Sequence, residues 1–194
     1  NYYKDWTQDY IIDRAPWGYP VNLKNLREIE DNIKIIVLVR DMEEVLASFI
    51  KFTNKQPNSR FNNIAYSIEH KCNILLNPNT FNLHKMWEGI KNLWDNESKE
   101  TYHLIDYHTL CNTPQETIEG IYNFLDIPLW EHRFTNLEQF KVNDMKYDDT
   151  RNDFGEGLHT IDTQKIYTHN HNENILPPHI IDRCKNLNFW KNNN

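Results

Sequence analysis

The run Ile35-Ile36-Val37-Leu38-Val39, closed by Arg40 and passing without a gap into Asp41 through Phe49, constrains the fold more than any other stretch. Five consecutive apolar residues, mostly β-branched, read as a strand buried on both faces and covered by helices on each side. Met42, Val45, Leu46, Phe49 and Ile50 then repeat at the spacing of one helix face. Asp41 and Glu44 have the form of a capping box that fixes where this helix begins. A strand feeding a helix directly delivers the Arg40 guanidinium to the carboxyl end of the strand, the edge at which open α/β sheets bind ligands. Ser48 stands eight residues after Arg40, about two turns into the helix. One phosphate can take a guanidinium fork from the first and a hydroxyl from the second. A structural arginine beside an ordinary helical serine accounts for the same spacing.

The rest of the chain reads as strands alternating with helices, the order a parallel α/β sheet requires. A strand is expected at Tyr10 to Asp13, a Pro/Gly turn at Ala15 to Pro20, and a helix at Asn22 to Glu30. A helical pair follows from about Phe61 to Leu76 and from about Phe81 to Trp94, broken at Asn77-Pro78-Asn79. Leu104 and Ile105 close a second strand, and Thr113 caps a helix with Pro114 at its first position. Ile118, Ile121, Tyr122 and Leu125 form the apolar stripe of that helix. Beyond Pro128 the pattern weakens, with a short helix at Leu137 to Phe140 and a final one at Pro178 to Leu187. The 194 residues are expected to form a single domain.

Three stretches carry a resemblance to a known family. Lys34 to Phe49 resembles the 3′-phosphate-binding segment of sulfotransferases that use 3′-phosphoadenosine 5′-phosphosulfate. There a hydrophobic strand ends in Arg and a Ser lies eight residues on; Met42 replaces the family's usual Pro. Tyr102 to Leu110, followed by Asn112 to Thr117 and Ile121 to Pro128, is similar to the family's strand, Tyr-Glu-x-Leu turn and following helix, with His108 in place of the usual Glu. Tyr10 to Trp17 resembles the strand ending in Asp/Glu-Lys-x-Pro that precedes the 3′-phosphate segment.

The resemblance implies a three-layer α/β fold of the phosphate-loop type, a parallel sheet flanked by helices. It implies 3′-phosphoadenosine 5′-phosphosulfate as co-substrate, with Arg40 and Ser48 on its 3′-phosphate and Tyr107 near its adenine. Arg14 falls at the basic position facing the sulfuryl group. Asp13 beside it is the first candidate for the base, and His159 the second. The acceptor is a small-molecule, carbohydrate or lipid hydroxyl or amine. The five glycines, Gly18, Gly89, Gly120, Gly155 and Gly157, form no phosphate-loop pattern. The family's first strand and loop are therefore expected to be missing from this stretch, through loss of an amino-terminal segment rather than supply by another chain or abandonment of catalysis.

Composition excludes several other classes. A net charge of −7 without a basic run argues against nucleic acid and anionic membranes as partners. No apolar run approaches membrane-spanning length. Cys72, Cys111 and Cys184 are odd in number and widely spaced, which fits a reducing, cytoplasmic setting better than a disulfide framework. His169 and His171 offer two ligands on a strand but lack a third at a diagnostic distance, so no metal is expected. Two rivals to a sulfotransferase remain: a phosphate-loop nucleotide or nucleoside kinase, and a non-catalytic binding module derived from a sulfotransferase.

Overall fold

The computed structural model describes residues 5, 7, 9–55, 62, 64–79, 82–139, 141–142, 145–146, 166 and 175–191. Strand β1 (Ile35–Val39) pairs in parallel with β2 (Tyr102–Asp106), from Ile35 opposite Tyr102 to Val39 opposite Asp106. Between them run α2 (Met42–Asn54), α3 (Ile68–Leu75) and α4 (Asn82–Asn96), and α1 (Pro20–Arg27) precedes β1. After β2 come α5 (Tyr107–Asn112), α6 (Pro114–Leu125), a two-residue hairpin of β3 (Lys141–Val142) and β4 (Met145–Lys146), and α7 (Pro178–Lys185). A 3-10 turn at Phe189–Lys191 follows.

Two clusters make the core. Beneath α2, Leu46, Ala47 and Ile50 pack on Cys72 and Leu75 of α3 and on Ile180 and Cys184 of α7. The second cluster lies on one face of the sheet, where Val37, Val39 and Tyr102 meet Leu23 of α1 and Leu93 of α4. Helix α4 joins the two, placing Leu83 and Trp87 against the first cluster and Ile90 and Leu93 in the second. Its close fit to the chain before α1 depends on glycine. A Cβ on Gly18 would stand 2.5 Å from the Gly89 carbonyl oxygen, and Asn92 Nδ2 donates to the Gly18 carbonyl at 2.9 Å.

The two faces of the sheet differ, because side chains alternate along a strand and parallel partners share a face. Val37, Val39 and Tyr102 point into the α1–α4 layer. On the other face α6 covers β2, with Phe124 stacked on His103 at 5.3 Å and Ile105 buried. That desolvation pushes the His103 imidazole below its ordinary pKa. Ile36 and Leu38 of β1 share this face but are 38% and 54% exposed. The expectation of a strand covered on both sides is corrected here: on this face Ile36 and Leu38 stay partly open to solvent.

Other expectations also shift. Pro20 starts α1 earlier than the apolar pattern indicates, its fixed φ and missing N–H suiting a helix start. Residues 10–14 form no strand, and Ile12 is 92% exposed. The turn at Tyr107 is a helix, and residues 137–139 are not helical. Helix α6 begins at Pro114 as expected, but the Thr113 hydroxyl turns back to donate to the Thr109 carbonyl.

Candidate functional site

Parallel register builds the site. The last ladder pair is Val39 with Asp106, so the next residues, Arg40 and Tyr107, emerge side by side at the carboxyl edge of the sheet. The Arg40 guanidinium lies over the Tyr107 ring, 4.1 Å from its centroid, a cation–π contact. The turn that carries Tyr107 is fixed by Asp106, whose carboxylate accepts the backbone N–H groups of His108 and Thr109 at 2.9 and 3.0 Å. Those are orphan donors at the start of α5, so Asp106 both ends β2 and caps the helix.

Glu44 fixes Arg40 from its edge. One helical turn on from Arg40, its Oε2 accepts from Arg40 Nε at 2.7 Å. His108 Nε2 approaches both Glu44 oxygens at 3.1 Å. The carboxylate is buried, so two partners offset the cost of removing its charge from water.

Behind this group, the first turn of α2 holds two more buried carboxylates, each with a partner from the carboxyl-terminal segment. Lys191 Nζ donates to Asp41 Oδ2, and Asn188 Nδ2 donates to Glu43 Oε2 at 2.8 Å. Burial lowers the Lys191 pKa, but the hydrogen bond to Asp41 and the charges of Asp41, Glu43 and Asp106 outweigh it and leave the ammonium above its usual value. Asn188 Oδ1 also accepts the Met42 backbone N–H at 2.9 Å. The cap of α2 is thus supplied from 146 residues away. This corrects the expected capping box: Asp41 makes no side-chain cap, and Glu44 turns to Arg40 and His108. Acidic groups in a first helical turn also gain from the helix dipole.

Of the residues singled out from sequence, Arg40 and Tyr107 are brought into contact. Ser48 is half-buried on α2, two turns on from Arg40, with Glu44 between them on the same helix side. Asp13 and Arg14 are exposed in the segment before α1, where the Asp13 carboxylate accepts the Arg14 backbone N–H at 2.7 Å. His159, His169 and His171 lie outside the described residues. Among the described residues, no group of three or more His, Cys, Asp or Glu side chains is placed to hold a metal ion. Sequence reasoning assigned Glu44 to a cap and gave His108 no role. The four-residue spacing from Arg40 to Glu44 was the available signal for the first, while the second is visible only once β1 and β2 are paired.

The family model of the sulfotransferase domain matches residues 20–174, well over half of the chain and including Arg40, Glu44, Ser48, Tyr107 and His108. Among solved structures, a sulfotransferase domain from the curacin biosynthetic pathway is similar at 18% identity and a TM-score of 0.49. The match covers 89% of this chain and 59% of that one, so the chain spans about three-fifths of that domain's length. No curated protein matches. With parallel strands flanked by helices and most of its length matched by the family model, the chain belongs to the sulfotransferase domain family.

Proposed function

We propose that the protein transfers a sulfuryl group from 3′-phosphoadenosine 5′-phosphosulfate to a hydroxyl or amine of a small-molecule, carbohydrate or lipid acceptor. The observation that carries this reading is the contact of Arg40 with Tyr107 where β1 and β2 end, inside the stretch matched by the family. Arg40 and Ser48 would hold the 3′-phosphate, and Tyr107 would lie against the adenine. A guanidinium fixed at its Nε by Glu44 and on its face by an aromatic ring is pre-organised for a phosphate fork, so little side-chain freedom is lost on binding.

The bound donor supplies a sulfuryl group already activated by its mixed anhydride with phosphate. The remaining tasks are alignment, charge stabilisation and removal of one proton from the acceptor, the logic of phosphoryl transfer. Arg14 would meet the charge developing on the leaving phosphate, and Asp13 would take the acceptor proton. The Arg14 assignment rests on the resemblance and the Asp13 assignment on its place beside Arg14; neither residue touches Arg40 or Tyr107 among the described contacts. The cradle of backbone N–H groups for the 5′-phosphosulfate would come from a segment outside these 194 residues, since their five glycines fall in no phosphate-loop pattern. Cys72, Cys111 and Cys184 are free thiols, which supports a reducing compartment such as the cytoplasm.

The test compares two ligands that differ at the 3′-position. Arg40→Ala is expected to weaken binding of adenosine 3′,5′-bisphosphate by about ten- to a hundredfold, the worth of a charged hydrogen bond. It should leave adenosine 5′-phosphosulfate nearly unaffected in calorimetry. Equal losses for both ligands would remove the 3′-phosphate assignment.

A further inference from the structure

The Glu44 carboxylate stands between two groups that can carry positive charge, and only one of them always does. Arg40 is a permanent cation, and its Nε–H bond to Glu44 leaves the two nearly neutral as a pair. An anion approaching Arg40 therefore also meets the Glu44 charge behind it. His108 faces that same carboxylate through Nε2, 3.1 Å from each oxygen. A neutral imidazole in this setting carries its proton on Nε2 and donates it to Glu44, leaving Nδ1 to accept the second proton.

We propose that His108 is a positioning residue that acts through Glu44 on Arg40, so that its protonation strengthens the hold of this site on a phosphate monoester. The proposal rests on the reading of Arg40 as the phosphate-binding residue and adds the regulation of that site. When Nδ1 takes up a proton, the Arg40–Glu44–His108 group passes from near neutrality to a net positive charge. Glu44 then shares its pull between two cations, and the attraction of Arg40 for an incoming phosphate rises.

The surroundings of His108 leave this interaction dominant among the described residues. From α2 it meets Glu44, and from the end of β1, Arg40 beyond it. From its own segment come the Tyr107 ring, T-shaped to it at 5.4 Å between centroids, and the Asp106 carboxylate, which takes the His108 backbone N–H rather than the ring. Helix α6 meets α5 through the Thr113 and Thr117 hydroxyls, both turned to the Thr109 carbonyl. Lys191 reaches the neighbourhood from the carboxyl-terminal segment, but its ammonium is paired with Asp41. With Asp106 fixing the backbone at His108, the ring has one charged partner, Glu44, among the described contacts.

The test sets the protein beside His108→Gln, which keeps an N–H donor for Glu44 but cannot titrate. Calorimetry with adenosine 3′,5′-bisphosphate is run from about pH 8 to about pH 6, the range in which histidine changes charge. Ligand ionisation is common to both proteins and cancels in their affinity ratio. The protein should gain about two- to tenfold over His108→Gln as the pH falls, the effect of one added charge a few ångströms behind the phosphate. Parallel profiles across the range would overturn the proposal. Absence of nucleotide binding at every pH would instead overturn the functional reading, and the coupling is then decided without ligand. In that case the Arg40 Nε–H nuclear magnetic resonance signal, assigned by its loss in Arg40→Lys, should shift along the titration of the His108 ring. A signal that ignores that titration sinks the proposal, whether or not the glutamine variant folds.

Discussion

Two arginines end apolar stretches in this chain, and the structure treats them differently. Arg40 follows a strand paired along its whole length with β2, lies over an aromatic ring and is tied to a buried carboxylate. Arg14 follows Ile11, Ile12 and Asp13, all exposed, in a segment without strand pairing. The apolar residues before each arginine look alike in sequence. What separates them is a ladder: strand register gives Arg40 a fixed origin and brings Tyr107 beside it, whereas the Arg14 segment leads through a turn into α1. A neighbouring strand that ends at the same level is what sets a second side chain beside Arg40.

The contrast is open to test at several strengths. The largest effect should come from the floor beneath Arg40. Leu46 is fully buried under α2, and Leu46→Ala is expected to cost about 2–5 kcal/mol in denaturant unfolding. Ile12→Ala should cost less than about 0.5 kcal/mol, as surface changes do. A cost at Ile12 approaching that at Leu46 would mean that the Arg14 segment is packed as firmly as the strand end.

Next in size is the functional difference between the two cations. Arg14→Ala should lower sulfate turnover, measured with radiolabelled donor, while leaving the affinity for adenosine 3′,5′-bisphosphate within about threefold, because it would act on charge that develops in the transition state. Arg40→Ala should do the reverse and act chiefly on affinity. If both variants lose affinity alike, the two arginines serve one site and the contrast fails.

A smaller effect is expected from the remote cap. Asn188→Ala removes the acceptor for the Met42 N–H and the donor to Glu43, and should lower stability by about 0.5–2 kcal/mol in thermal unfolding. Asp41→Asn keeps one side-chain oxygen to accept from Lys191 and removes no cap, so it should cost less than Asn188→Ala.

The smallest contrast is chemical. Burial beneath α2 pushes the Cys72 thiol up to about 11 and the Cys184 thiol up to about 12, from an ordinary 9.0. These groups hold their protons in the folded state and release them more readily when unfolded. Their contribution is therefore complete below about pH 9 and falls away as the pH rises toward the folded values. Cys184→Ala should flatten the alkaline limb of the stability profile. Half-buried Cys111 should react with iodoacetamide first, and equal rates for all three thiols would mean that the α2 floor opens freely.

Much of this was legible in the sequence where the information is local. The apolar run and its helix follow from periodicity, and the Pro114 start of α6 from the chemistry of proline. What failed was set by distant neighbours. Ile36 and Leu38 carry no mark that they stay partly exposed while Ile105 on the same face is buried. Asp41 and Glu44 satisfy the local rule for a capping box, yet Lys191, Arg40 and His108 claim both side chains. Asn188, which supplies the cap, sits 146 residues from the N–H it accepts. The Arg40–Tyr107 pair stood between these extremes: each residue could be named, but only the strand register puts them in contact.

The remote cap has a consequence for how the protein is made. On a ribosome, Arg40 and the start of α2 emerge long before the side chains that complete them. Glu44 must wait 64 residues for His108, and Met42 waits 146 for Asn188. At a synthesis rate of about 5–20 residues per second, the second interval is roughly 7–30 s. Throughout it the nascent helix has an unsealed amino end and carboxylates without their final partners. The sheet edge that carries Arg40 is thus translated well before the residues that complete it.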